Sequence, residues 1–105
     1  MVVFHRELFD RIVLIYNPAN PRGPLTLAES VRDDLCRQSP DMPVTLQPTD
    51  YPGHARELAA TAAATGRLLI VAISGDGVYN EVVNGIMEVE GSSAVSAVAG
   101  RRERE

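Results

Sequence analysis

The 105-residue chain contains no lysine, so all ten of its basic residues are arginine. That absence excludes a Walker A loop, whose second glycine is followed by a lysine that reaches the phosphates. It also excludes Schiff-base catalysis. A single cysteine, Cys36, rules out an internal disulfide and suits a reducing compartment. Set beside Asp33, Asp34 and Arg37 in a helical stretch, it reads as an ordinary helix residue rather than a reactive thiol. No apolar run approaches the roughly 18 residues needed to span a bilayer. Glu7 and Asp10, close behind Val2-Val3-Phe4, do not fit a signal peptide. A net charge of −4 gives no broad attraction to nucleic acid or anionic headgroups. The expectation is a cytoplasmic protein with no nucleic-acid partner and no transmembrane segment.

What is present is a chain 45% hydrophobic, long enough for one compact domain with a core. Short apolar runs alternate with helical patterns. Ile12 to Tyr16 reads as a buried strand ended by Asn17-Pro18, and Pro21, Gly23 and Pro24 continue the loop. Thr26-x-x-Glu29 has the form of a capping box opening a helix with Leu27, Val31 and Leu35 inward. After Ser39-Pro40, Pro43 to Gln47 reads as a second strand. The loop Pro48-Thr49-Asp50 leads through Pro52 into a second helix that stops near Gly66. Leu68 to Ile73 is the clearest strand and runs into Ser74-Gly75-Asp76-Gly77. A third helix is expected from Val78 to about Glu90, and a fourth strand from Ala94 to Ala99.

Strand–helix alternation with fully apolar strands predicts a three-layer α/β/α domain around an open, mainly parallel sheet. Ligands of such sheets bind beyond the carboxyl ends of the strands. Three loops meet that description: Asn17 to Pro24, Pro48 to Pro52, and Ser74 to Gly77.

The third loop carries the most chemistry. A glycine-bracketed turn between a buried strand and a helix leaves unpaired N–H groups at the positive end of the helix dipole, an anion site. The dinucleotide fingerprint fails, because its third glycine would fall on Asn80. A carboxylate inside a phosphate cradle would repel the ligand unless it acts through Mg²⁺ or takes a proton from an attacking hydroxyl. Asp76 can do either, or simply cap the third helix. Asn17 by itself is a turn asparagine, Thr49 and Asp50 fit capping roles, and His54 fits a packing histidine. Glu81 suits the first turn of a helix without any function. Asn84-Gly85 inside a helix points to close packing or an ordered polar contact.

Together these segments resemble a known family. Asn17-Pro18, Thr49 followed by Gly53-His54-Ala55-x-x-Leu58-Ala59, and Ser74-Gly75-Asp76-Gly77-x-x-Asn80-Glu81-Val82-Val83-Asn84-Gly85 occur in the order and spacing of the diacylglycerol kinase catalytic domain. The family includes bacterial lipid kinases, diacylglycerol and ceramide kinases and sphingosine kinases, and the resemblance runs from about Ile12 to Met87. It implies a phosphofructokinase-like nucleotide-binding domain over residues 1–100, with 101–105 as a tail. It also implies that Asn17, Thr49, Ser74, Gly75, Gly77 and Glu81 line an ATP site. Asp76 would be the functional acid, as base on a lipid hydroxyl or as organiser of Mg²⁺ and phosphate. The reaction implied is transfer of the γ-phosphoryl group of ATP to a lipid alcohol, diacylglycerol- or sphingosine-like.

The chain departs from the family pattern at Ser74 and Val78 and in a proline-rich first loop whose one cation is Arg22. The family also places a larger β-rich, lipid-holding domain downstream. The expectation is therefore half of a lipid kinase, inactive alone, whose full-length form would be peripheral to the membrane. The alternatives are a non-catalytic fragment or interaction module, self-associating through an exposed docking surface, and an NAD-kinase-like enzyme.

Overall fold

Two runs apolar on both faces, Leu68–Ile73 and most of Arg11–Tyr16, must have protein above and below them, and they become the two inner strands of the sheet. The computed structural model describes residues 9–21, 23–73 and 76–100, with Asp76 by its backbone alone. The chain termini, Arg22, Ser74 and Gly75 lie outside the described residues, and so do the readings made on Val2 to Glu7, on Arg22 and on the tail 101–105.

The elements alternate as expected: β1 (Arg11–Tyr16), α1 (Pro24–Gln38), β2 (Val44–Pro48), α2 (His54–Ala63), β3 (Leu68–Ile73), α3 (Asp76–Met87) and β4 (Val95–Ala99). The four strands form one sheet in the order β2-β1-β3-β4, and every pairing is parallel. The α/β expectation is met with a wholly parallel sheet.

Alternation along the inner strands explains the layers. Ile12, Leu14 and Tyr16 of β1, with Val71 and Ile73 of β3, face Ala28 and Leu35 of α1. Val13 and Ile15, with Leu68, Ile70 and Ala72, face Ala55 and Ala59 of α2 and Val82 of α3. Burial of each large side chain contributes about 1.5–3 kcal/mol, so both faces are needed to offset the ordering of the chain. From β1 the chain moves to β2, then crosses back over β1 to β3. With right-handed crossovers, this reversal puts α1 on one face and α2 and α3 on the other.

Strand ends shift by a residue and α2 stops at Ala63 rather than near Gly66, and the boundaries of α1 and α3 differ for physical reasons. The first helix opens at Pro24, not at a capping box on Thr26: Gly23 is the N-cap in the left-handed region (φ 68°), with no side-chain cap bond. Proline at the first helical position needs no partner for its missing N–H and holds a helical φ, so Thr26 falls inside the first turn. The third helix begins at Asp76 and ends at Met87. Beyond Met87 the chain tightens into i→i+3 bonds, from Glu88 N–H to the Gly85 carbonyl (3.2 Å) and from Val89 N–H to the Ile86 carbonyl (3.0 Å). The expected inward stripe of α1, Leu27, Val31 and Leu35, does pack on the sheet, joined by fully buried Ala28.

Gly85 has a packing cause. It is buried where α3 crosses α2, and a β-carbon there would stand 2.9 Å from Ala59 Cβ and 3.0 Å from Ala60 N, and closer still to the Arg56 carbonyl oxygen. The two helices touch backbone to backbone, which is why α2 presents Ala55, Ala59 and Ala63 as its buried residues.

Candidate functional site

A reversal of strand order opens a crevice beyond the carboxyl ends of the strands on either side of it. Here the loop after β1 leads to α1 on one face while the segment after β3 leads to α3 on the other. A cavity of about 700 Å³ lies at this edge, lined by residues 17–20 after β1, 49–52 after β2, Ala55 of α2, and Gly77, Val78 and Glu81 of α3. Asn17, Thr49, Gly77 and Glu81, selected from the sequence, are thus brought together. Ser74 and Gly75 lie outside the described residues, and of Asp76 only the backbone position, opening α3, is described.

Each residue reaches the cavity for a local reason. Asn17 follows the last residue of β1, and its Oδ1 accepts a hydrogen bond from Ala19 N–H at 3.0 Å. Further turns follow, with Asn20 N–H on the Asn17 carbonyl and Gly23 N–H on the Asn20 carbonyl. The side-chain oxygen of Asn17 therefore shapes the wall, the turn role asparagine takes before proline. Thr49 extends the β1–β2 pairing by one rung, its N–H donating to the Tyr16 carbonyl at 2.9 Å. It is only 8% exposed, a polar residue held at the floor of the crevice.

Gly77 contrasts with Gly85. It sits in the first turn of α3 without a positive φ, and a β-carbon there would meet nothing within 4 Å. Neither backbone conformation nor internal crowding asks for glycine at this position. Its effect is to leave open space beside the cavity, close to the N-terminus of a 12-residue helix whose free N–H groups and dipole favour an anion.

Glu81, one turn further on, lines the cavity, and its Oε2 accepts a hydrogen bond from Gly53 N–H at 3.3 Å. The carboxylate thus ties α3 to the N-terminus of α2, where negative charge also meets that helix's dipole.

The second loop contains a residue not singled out from the sequence. Tyr51-Pro52-Gly53-His54 forms a turn closed by His54 N–H on the Tyr51 carbonyl at 3.0 Å. Gly53 at φ 91°, ψ −11° matches the third position of a type II turn, with proline ahead of it. The turn lays the His54 imidazole on the Tyr51 ring, centroids 4.4 Å apart and planes 16° from parallel. Tyr51 lines the cavity and donates its hydroxyl to Glu57 Oε1 at 2.6 Å. That bond, with the charges of Glu57 and Asp50 nearby, raises the Tyr51 pKa above its ordinary value. The Pro-Gly pair between two ring-bearing residues was the available signal.

Among the described residues no group of three or more His, Cys, Asp or Glu side chains could hold a metal ion. No helix in that set is long and apolar enough to cross a membrane.

Comparison with known proteins gives the family of the chain. The family model described as the diacylglycerol kinase catalytic domain matches residues 11–100. Sphingosine kinase 1 of Homo sapiens is 35% identical over 79 residues, covering 74% of this chain and 20% of that protein. A crystal structure of a diacylglycerol kinase from Bacillus anthracis str. Sterne superposes with a TM-score of 0.69 at 25% identity, covering 86% of this chain and 32% of that one. A second solved chain from that strain gives a TM-score of 0.71, also at 25% identity, over 87% of this chain and 32% of its own. The chain spans a fifth of the length of the human relative and about a third of the solved ones. With the match running from Arg11 to Gly100, the chain belongs to the diacylglycerol kinase catalytic domain family.

Proposed function

We propose that the cavity between the β1 and β3 loops binds ATP, and that residues 1–100 form the nucleotide-binding half of a lipid kinase. The observation that carries this reading is the convergence of Asn17, Thr49, Gly77 and Glu81 on one cavity of about 700 Å³ beside the α3 N-terminus. That volume suits a nucleotide. The open space at Gly77 is what a phosphate would need to approach the helix backbone closely.

In this reading Thr49 and Asn17 form the floor and near wall of the site. The N–H groups of the first turn of α3 meet the phosphate chain, and Glu81 holds the α2 side of the cavity in place. Asp76 supplies the negative charge that draws a hydroxyl proton or orients Mg²⁺. The nucleotide supplies the γ-phosphoryl group for a lipid alcohol, with positioning and charge neutralisation as the main sources of rate. Residues 101–105 are a tail in this assignment, and the lipid would be held by a β-rich domain of the longer family members. Location in the cytoplasm, with membrane association of the whole enzyme, follows from the same reading.

The test is isothermal titration with Mg-ADP and Mg-ATP. Saturable binding is expected, weakened in Asp76→Asn and Gly77→Asp. No heat up to millimolar nucleotide would overturn the proposal.

A second reading has its own observation. Val95 and Val98 on edge strand β4 are 47% and 55% exposed, an apolar edge that favours an interaction module pairing with itself or another chain. Sedimentation velocity over a concentration series tests it: association supports this reading, and a strict monomer at high concentration removes it.

A further inference from the structure

His54 makes contacts that the nucleotide reading does not use, and they all bear on one wall of the cavity. The Asp50 N–H donates to His54 Nδ1 at 2.8 Å. Two N–H groups cannot point at each other over that distance, so Nδ1 carries the lone pair and the ring proton sits on Nε2. The Asp50 carboxylate, which would favour an imidazolium, is 4.0 Å away on a side chain 78% exposed, against 15% for His54. The closer amide fixes Nδ1 as the acceptor.

From this geometry we infer that His54 is a positioning residue: its unprotonated Nδ1 holds the Asp50 amide and thereby fixes the wall Thr49–Pro52 against the cavity. The inference rests on the reading of the cavity as a nucleotide site. Besides the backbone bonds of Thr49 and Tyr51, side chains hold the wall and the turn that follows it. His54 binds the Asp50 amide, the His54 ring stacks on Tyr51, and Glu81 of α3 accepts from Gly53 N–H. Tyr51 is braced in turn by Glu57. Without the Nδ1 acceptor, Asp50 N–H loses its partner and the loop gains freedom that a ligand must then remove on binding, at the expense of affinity. The charged or titratable groups around the ring are Asp50, Tyr51 and Glu57 on its own segment and helix. Arg11 of β1 shares a groove with His54, and Glu81 of α3 meets the turn at Gly53.

The experiment compares the full chain with His54→Asn and His54→Leu. Asparagine Oδ1 can stand where Nδ1 stands, and leucine offers no acceptor. Long-range ¹⁵N–¹H spectra of the wild type are expected to show the Nε2–H tautomer at neutral pH. Hydrogen exchange at the Asp50 amide is expected to quicken in His54→Leu and to return in His54→Asn. The affinity for Mg-ADP should fall about tenfold in the leucine variant, near the upper worth of one hydrogen bond, and recover in the asparagine variant.

An Nδ1–H tautomer would overturn the inference. So would unchanged Asp50 exchange in His54→Leu, or failure of asparagine to restore it. If the leucine variant does not fold, the wild-type tautomer and the asparagine variant decide. If the wild type binds no Mg-ADP, the nucleotide reading fails, and with it the wall's service to a nucleotide; the tautomer and exchange data then report on the latch alone.

Discussion

Gly85 of α3 and Ala59 of α2 stand so close that a β-carbon on Gly85 would lie 2.9 Å from that of Ala59. The neighbouring obstacles are backbone atoms of Arg56 and Ala60, which no rotamer change can move aside. Gly85→Ala must therefore separate the helices. Overpacking of this kind costs about 1–3 kcal/mol, partly offset by about 1 kcal/mol of helix propensity. A net loss of stability is expected in urea denaturation of the free protein.

Gly77→Ala should behave in the opposite way. The position is helical, exposed and open, so alanine is expected to leave stability unchanged or raise it by up to about 1 kcal/mol. Nucleotide titration should nevertheless show weaker binding, because the new methyl group occupies the space beside the cavity. The pair of glycines separates packing from ligand approach in two measurements.

Asp76→Asn distinguishes a helix-capping aspartate from a functional one. Loss of a favourable charge on the helix dipole alone would cost about 0.3–1 kcal/mol of stability and would leave nucleotide affinity unmoved. The expected outcome is a fall in nucleotide affinity of about tenfold or more, larger in the presence of Mg²⁺ than in a chelator. Titration calorimetry under both conditions measures it.

Glu81→Ala removes the acceptor of the Gly53 N–H, a bond that does for α2 what a cap would. A loss of about 0.5–2 kcal/mol is expected by analogy with cap deletions. Glu81→Gln keeps an acceptor oxygen and should lose less. Thermal denaturation of the three proteins gives the order.

Tyr51 supplies a pH dependence. Its hydroxyl hydrogen bond to Glu57, the largest cause, raises its pKa from 10.0, so the folded state holds this proton more tightly than the unfolded one. The stabilising contribution is complete below about pH 10 and is lost as pH rises through the elevated folded value. Absorbance titration of phenolate is expected to show a late-ionising tyrosine that disappears in Tyr51→Phe and moves to lower pH in Glu57→Gln.

The layers were legible because β1 and β3 are apolar on both faces, a pattern with few solutions besides a covered parallel sheet. The loops that carry Asn17 and Gly77 were legible for the same reason, since each follows one of these strands, whereas the loop of Thr49 follows the shorter, half-buried β2 and was marked by Pro48 and Pro52 instead. Helix starts were less so. Thr26-x-x-Glu29 has the letters of a cap, but Pro24 two residues earlier already satisfies the geometry of a first turn, and local letters do not rank the two. Tyr51 was missed because its role depends on a turn that folds it onto His54 and Glu57, neighbours chosen by backbone conformation rather than by spacing along a strand or helix. Asn84-Gly85 in the sequence fits close packing or a polar contact equally, and only the position of α2 decides between them.

The strand order has a consequence for how the chain folds. Residue Ile12 pairs with Val44 on one side and Leu69 on the other, so β1 is completed only when β3 has left the ribosome, more than fifty residues later. Until then β1 is a largely apolar strand with one side uncovered. Parallel pairings between distant segments form slowly, and partly covered strands are the species that associate wrongly. The stretch Ile12–Tyr16 is thus the part of a nascent chain of this kind that stays open to wrong association until Leu68–Ile73 is available to pair with it.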